Sequence, residues 1–164
     1  MGKSSLINYL CNRKNLARAS ATPGKTLLIN HFLINEEYYF TDLPGYGYAR
    51  TSKSERERIL ELIFDYLRRR ESLTCLFLLI DSRMDPQEND RFVINWLGEA
   101  GIPFALVFTK TDKLSGTQLE KQLNVYREEL MGSWEELPPF FISSALKRSG
   151  RENIMEFINN NLKI

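Results

Sequence analysis

Before Glu36 the chain has no acidic residue, while Lys3, Arg13, Lys14, Arg18 and Lys25 all fall in that segment. The one-signed stretch makes a basic pole that suits solvent, a nucleotide's phosphates or an RNA backbone. Elsewhere the charges cancel: 22 Lys and Arg against 21 Asp and Glu leave a formal net charge of +1, so no global field draws in a polyanion. Cysteine is scarce. Cys11 and Cys75 stand alone, with no C-x-x-C and no metal-ligand spacing, which excludes a disulfide framework and predicts buried, unpaired thiols in a reducing compartment. Long apolar runs are also missing. The longest, Cys75 to Ile80, is far too short to span a bilayer, so a membrane partner is not expected and the cytoplasm is the expected location. Repeats and low-complexity linkers are absent. The 164 residues suit one α/β domain with a sizeable core.

Strand-like and helix-like stretches alternate along the chain. Leu27 to Ile34 and Tyr38 to Thr41 read as strands joined by a hairpin turn at Asn35-Glu36-Glu37. Cys75 to Ile80, Phe104 to Phe108 and Phe140 to Ile142 are continuous apolar runs, the mark of parallel strands buried on both faces. Helical periodicity places Ile59, Ile63, Tyr66 and Leu67 on one face, and Leu119, Leu123, Tyr126 and Leu130 on another. Ile154, Phe157, Ile158 and Leu162 form the apolar face of a closing helix. Ser54 with Glu57 and Ser115 with Gln118 read as capping boxes, and Pro86 as the first residue of a helix. The pattern predicts a doubly wound, mostly parallel sheet with helices on both faces, in which ligands bind beyond the carboxyl ends of the strands.

The residues with chemistry sit at such ends. Gly2-Lys3-Ser4-Ser5 opens a helix, and G-K-S is the closing half of a phosphate-binding loop. There Lys3 would reach the β- and γ-phosphates, and the Ser4 hydroxyl would ligate Mg²⁺. Gly24-Lys25-Thr26 fails as a second such loop, because Ala19 stands where its first glycine belongs and Leu27 begins a strand. Thr26 is better read as a second hydroxyl ligand for Mg²⁺, carried on the segment Ala21-Thr22-Pro23-Gly24; a plain Pro-Gly turn is the alternative. Asp42-Leu43-Pro44-Gly45 ends a strand. Asp42 could hold Mg²⁺ through water, and the Gly45 N–H could meet a γ-phosphate with no side chain in the way. Loss of that phosphate would let the loop relax, an order–disorder switch.

Thr109-Lys110-Thr111-Asp112 also ends a strand. The Asp112 carboxylate can accept two hydrogen bonds from guanine's ring N–H and exocyclic amine, while adenine offers no such pair. At about 1.5–3 kcal/mol for each charged hydrogen bond, two give on the order of a hundredfold preference for guanine. The Lys110 stem could lie across the base. Ile142-Ser143-Ser144 supplies small residues whose backbone N–H groups can approach a base oxygen. Arg68-Arg69-Arg70 reads first as helix capping charge, while Arg13, Lys14 and Arg18 are the better RNA candidates. His31 reads as a satisfied or exposed strand residue.

Gly-Lys-Ser-Ser-Leu-Ile-Asn at 2–8, Thr-Pro-Gly-Lys-Thr at 22–26, Asp-Leu-Pro-Gly-Tyr-Gly-Tyr-Ala at 42–49, Phe-Thr-Lys-Thr-Asp-Lys-Leu at 108–114 and Ile-Ser-Ser at 142–144 run in register through the chain. In this combination the sequence resembles the EngB family of bacterial TRAFAC-class GTPases over essentially its whole length. The resemblance implies a single G domain over 1–164 that binds GTP or GDP with Mg²⁺ and hydrolyses GTP. Lys3 and Gly45 would be catalytic. Gly2, Lys3, Ser4, Ser5, Gly24, Lys25, Thr26, Leu27, Leu28, Asp42, Leu43, Pro44, Gly45, Thr109, Lys110, Thr111, Asp112, Ile142, Ser143 and Ser144 would contact nucleotide. Ser4, Thr26 and, through water, Asp42 would hold the metal. It further implies a monomer that acts on the large ribosomal subunit or its RNA, with roles in subunit assembly, cell division and septation.

Two departures qualify the resemblance. Thr109 replaces the asparagine of many GTPases, which predicts modest affinity. Tyr46 stands where many small GTPases place the glutamine that orients water, so unassisted turnover is expected at or below about 10⁻⁴ s⁻¹. A ribosomal partner, or a monovalent cation in the phosphate site, would supply the rest. The family's upstream loop asparagine, a candidate cation ligand, has no counterpart in this sequence. A missing strand and first half of the phosphate loop would leave two strand edges unpaired. It would remove roughly 5–9 kcal/mol of burial and predicts poor folding and weak GTP binding. The competing readings are a ribosome- or RNA-binding domain without effective hydrolysis, and an ATPase, which Asp112 disfavours.

Overall fold

The structure is a computed structural model, and it describes residues 2–17, 28–47 and 52–162. Its order is α1 (Lys3–Leu10), β1 (Asn30–Ile34), β2 (Tyr38–Asp42), α2 (Lys53–Arg69), β3 (Leu76–Asp81), α3 (Glu88–Glu99), β4 (Phe104–Thr109), α4 (Gly116–Met131), β5 (Phe140–Ile142) and α5 (Arg151–Leu162). A single 3-10 turn, Thr111–Lys113, lies between β4 and α4.

β4 is buried along its whole length between parallel neighbours, β3 on one side and β5 on the other. Its alternate side chains therefore serve two cores. Phe104, Leu106 and Phe108 pack with Ile63, Leu97 and Leu123 of α2, α3 and α4. Val107 faces the other way, with Leu6 and Leu10 of α1 and Ile154 and Ile158 of α5. Helices on both faces of a parallel sheet make the doubly wound α/β fold that the alternation predicts.

β1 and β2 form an antiparallel hairpin. At its turn Glu37 N–H donates to the Ile34 carbonyl at 3.0 Å, and Asn35 and Glu36 both have positive φ. That mirror-image turn sense matches strand twist. Ile34 and Tyr38 bury against α1 and α5, while Leu33 and Tyr39 face outward. Among the described residues β2 and β3 do not pair, so the sheet is in two pieces. Their facing edges line a cavity of about 830 Å³, walled by residues such as Tyr38, Phe40, Leu76, Leu78, Ile154 and Ile158.

Several local expectations need correction. β1 begins at Asn30; Leu27 lies outside the described residues. The capping box of α2 is Ser52 with Glu55, not Ser54 with Glu57. S-x-x-E occurs twice in overlapping register, and the earlier pair starts the helix two residues sooner. Pro86 is not the first residue of α3. Gln87 is the N-cap in extended conformation, and its side-chain amide donates to the Asp85 carbonyl at 2.7 Å. Cys11 and Cys75 are free but half-buried rather than fully buried. The box of Ser115 with Gln118 forms as expected. No described helix is long and apolar enough to cross a membrane.

Candidate functional site

Gly2 is the N-cap of α1 and offers no side chain to its free amides. Its carbonyl accepts the first helical hydrogen bond from Leu6 N–H at 2.8 Å. The start of α1 thus has no side-chain cap from its N-cap residue, and a helix N-terminus is the local geometry that favours an anion. Lys3 extends from this end to the end of β2. Its ammonium forms an ion pair with Asp42 and donates to the Leu43 carbonyl at 2.6 Å. Asp42 is only 11% exposed. Pro44 is buried next to it, and Leu43 and Tyr46 pack against the core of α2, α3 and α4. The half phosphate loop and the Asp-Leu-Pro-Gly segment, about 40 residues apart in sequence, are one site in space.

Tyr46 ties the same loop to α3. Its phenol donates to Asp90 Oδ1 at 3.0 Å. Burial, reinforced by the neighbouring carboxylate, raises the Tyr46 pKa well above that of an ordinary phenol. Burial also raises the Asp90 pKa, against the lowering effect of the Tyr46 bond. Tyr126 shares this pocket with a buried hydroxyl that has no hydrogen-bond partner among the described residues, and burial and then the Asp90 charge raise its pKa.

The second half of the site lies at the ends of β4 and β5. The Asp112 side chain is 6% exposed and accepts a hydrogen bond from Ser144 Oγ at 2.6 Å. That bond is the largest cause of a lowered Asp112 pKa, so the group is held as a carboxylate. Ser144 also accepts from Lys147 N–H through its hydroxyl. Ser143 N–H donates to the Phe108 carbonyl at 2.8 Å, which pins the end of β5 to β4. Gly150 closes the loop with φ +83°, and a Cβ there would meet the Ile142 carbonyl oxygen at 1.9 Å, so no other residue fits.

Two motif residues are engaged differently from the expectation. Thr109 is buried and donates its hydroxyl to the Ile80 carbonyl at 3.0 Å, bracing β3 against β4. Lys110 has φ +59°, and its ammonium donates to Asp81 Oδ2 at 2.8 Å, which fixes the stem at the strand ends. Asp81 is held from a second side by Arg83 at 2.7 Å. Asp81 and Asp90 are not among the residues the sequence singles out, and Tyr126 is marked there only as part of an apolar helix face. Asp81 had a usable signal, an acid closing an apolar strand, whereas Asp90 lies inside a helix with no local motif.

Other expected residues fall elsewhere. Gly24, Lys25, Thr26, Leu27 and Arg18 lie outside the described residues, and Leu28 is exposed. Arg68 stacks over Trp96 with its guanidinium 5.1 Å from the ring centre, and Arg69 pairs with Asp65. His31 is exposed, with Nδ1 3.0 Å from Thr41 Oγ1. No cluster of three or more His, Cys, Asp or Glu among the described residues could hold a metal by itself. The Ser4 hydroxyl at the start of α1 and Asp42 at the end of β2 are hard oxygen donors too few for a protein cage. That suits Mg²⁺, which keeps waters and takes its remaining ligands from phosphates.

A family model described as 50S ribosome-binding GTPase matches residues 1–110. The probable GTP-binding protein EngB of Bacteroides thetaiotaomicron is 56% identical over 160 residues, which cover 98% of this chain and 79% of that protein. Its counterpart in Porphyromonas gingivalis is 51% identical over 159 residues, 97% and 79% of the two chains. The crystal structure of a probable GTP-binding protein EngB matches with TM-score 0.77 over 99% of this chain and 93% of that one, at 22% identity. Era in complex with MgGDPNP and a segment of 16S ribosomal RNA matches with TM-score 0.68 over 99% and 52%, at 25% identity. With more than half its length shared at this identity and its motifs gathered at the strand ends, the chain belongs to the EngB family of GTPases.

Proposed function

We propose that this domain is a guanine-specific switch that binds GTP with Mg²⁺ and hydrolyses it slowly to GDP and phosphate. The observation that carries the reading is the contact of Lys3 with Asp42 and the Leu43 carbonyl, which joins two phosphate motifs at the N-terminus of α1. Phosphate would enter here, with Lys3 transferring its donors from the loop to the β- and γ-oxygens. Gly45 N–H lies on the loop that Lys3 holds and would meet the γ-phosphate. Ser4, Thr26 and, through water, Asp42 would hold Mg²⁺, which neutralises charge on the bridging phosphate oxygens.

Asp112 would read guanine. Its lowered pKa keeps it ionised, and Ser144 occupies one oxygen while holding the carboxylate in place. Lys110, fixed through Asp81, would brace the base from one side. Gly2, Ser5, Thr111, Ile142 and Ser143 would contact the nucleotide between phosphate and base, and Gly24, Lys25, Leu27 and Leu28 would close over it. Tyr46 does not replace a water-orienting glutamine, because its hydroxyl is engaged by Asp90. Low unassisted turnover follows, with acceleration by a monovalent cation or by the large ribosomal subunit. The roles in subunit assembly and in division rest on the family resemblance, and the cytoplasm is the compartment consistent with them.

Titration with fluorescent GDP and ATP analogues tests this. GDP should bind, ATP should not compete, and Asp112→Ala should weaken GDP about a hundredfold. Asp112→Asn should shift preference toward xanthosine nucleotides. ATP binding that survives Asp112→Ala would overturn the guanine reading. Retained affinity for large-subunit RNA with no binding of either nucleotide would favour an RNA-binding domain instead.

A further inference from the structure

We infer that Tyr46, Asp90 and Tyr126 set the preference of this site between diphosphate and triphosphate, with Asp90 as a two-position acceptor. This rests on the nucleotide reading above. The loop after β2 is held at both flanks of Gly45: by Lys3 at the Leu43 carbonyl and by Asp90 at the Tyr46 phenol. In this arrangement the Lys3 ammonium donates to the loop itself, at the Leu43 carbonyl. A diphosphate engages Lys3 without reaching the Gly45 N–H. A triphosphate also needs the Gly45 N–H, and drawing Gly45 toward it pulls on the adjacent Tyr46.

The cost of that motion depends on what Asp90 does next. Asp90 is the third residue of α3, and no ion pair among the described residues includes it. Arg91, its neighbour, is committed to Glu129. A half-buried carboxylate left without a donor would oppose release of Tyr46. Tyr126 answers this. Its buried hydroxyl has no hydrogen-bond partner among the described residues, and its side chain lines the same small pocket as Asp90. Tyr46 is the donor to Asp90 when the loop is docked, and Tyr126 becomes the donor when it is released. The carboxylate stays hydrogen-bonded in both states, which makes the pair bistable. Triphosphate affinity is scaled by the population of the released state.

The test measures affinities for GDP and for a non-hydrolysable GTP analogue in parallel. Tyr46→Phe removes the docked-state bond and should raise analogue affinity about tenfold relative to GDP. Tyr126→Phe removes the released-state bond and should shift the ratio the opposite way. Asp90→Asn keeps an acceptor oxygen and should stay near the wild-type ratio. Asp90→Ala removes both bonds, so adding Tyr46→Phe or Tyr126→Phe to it should change the ratio no further. A ratio unmoved by Tyr46→Phe, or moved toward GDP, would overturn the inference. If Tyr46→Phe fails to fold, comparison of Tyr126→Phe in the wild-type and Asp90→Ala backgrounds carries the test, and equal effects in both would overturn it. Wild-type protein that binds neither nucleotide would sink the nucleotide reading itself, a separate outcome.

Discussion

Lys110 stands in the left-handed region at φ +59°, a conformation uncommon for a residue with a side chain, and its ammonium is fixed to Asp81. Arg83 grips the same carboxylate, and these bonds hold the Asp81 pKa far below the usual range. The sign follows from linkage. A carboxylate with a depressed native pKa stabilises the fold above its unfolded pKa and loses that contribution as pH falls through the native one. The thermal midpoint should therefore drop as pH is lowered from about 5 toward 2, and Asp81→Asn should flatten that dependence. Parallel profiles of wild type and variant by circular dichroism would refute this. Cys75 shows the opposite sense of perturbation, since burial alone pushes its thiol up to about 11 and keeps it unreactive at neutral pH.

At the scale of elements, the start of α2 separates two sequence signals that look alike. Ser52 accepts from Glu55 N–H at 3.2 Å, and the Glu55 carboxylate accepts from Ser52 N–H in return. Ser54 contributes only a contact with the Ser52 hydroxyl at 3.3 Å. Ser52→Ala should cost about 1 kcal/mol of stability, while Ser54→Ala should stay within about 0.5 kcal/mol, both measured by denaturant titration. Equal effects would move the cap. The hairpin and the helix faces were legible because periodicity and turn residues are local. The start of α3 was not, because Pro86 fits the first turn of a helix as readily as the extended segment that the Gln87 to Asp85 bond stabilises here.

At the scale of the whole molecule, β4 and its neighbours form a sheet covered on both faces, while among the described residues β2 and β3 do not pair. An apolar cavity of about 830 Å³ between them is a liability in water. Such a groove should bind a hydrophobic fluorescent dye. Substituting Leu78 with a charged residue at its wall should reduce the signal as well as the stability. Absence of dye enhancement over a well-packed control would show the groove closed.

By itself the sequence determined the α/β alternation, the positions of the motifs at strand ends and the family, because each depends on spacing and residue type along the chain. It pointed to Lys3, Asp42, Asp112 and Ser144 as separate candidates. Only the tertiary structure decided which of them meet: Lys3 with Asp42 and the Leu43 carbonyl, and Asp112 with Ser144. It also decided that Thr109 braces β3, that Lys110 is held by Asp81, and that Tyr46 and Asp90 bond across 44 residues. A hydrogen bond depends on a separation of about 3 Å in space, and sequence spacing constrains that distance only within a helix, a turn or a strand pair.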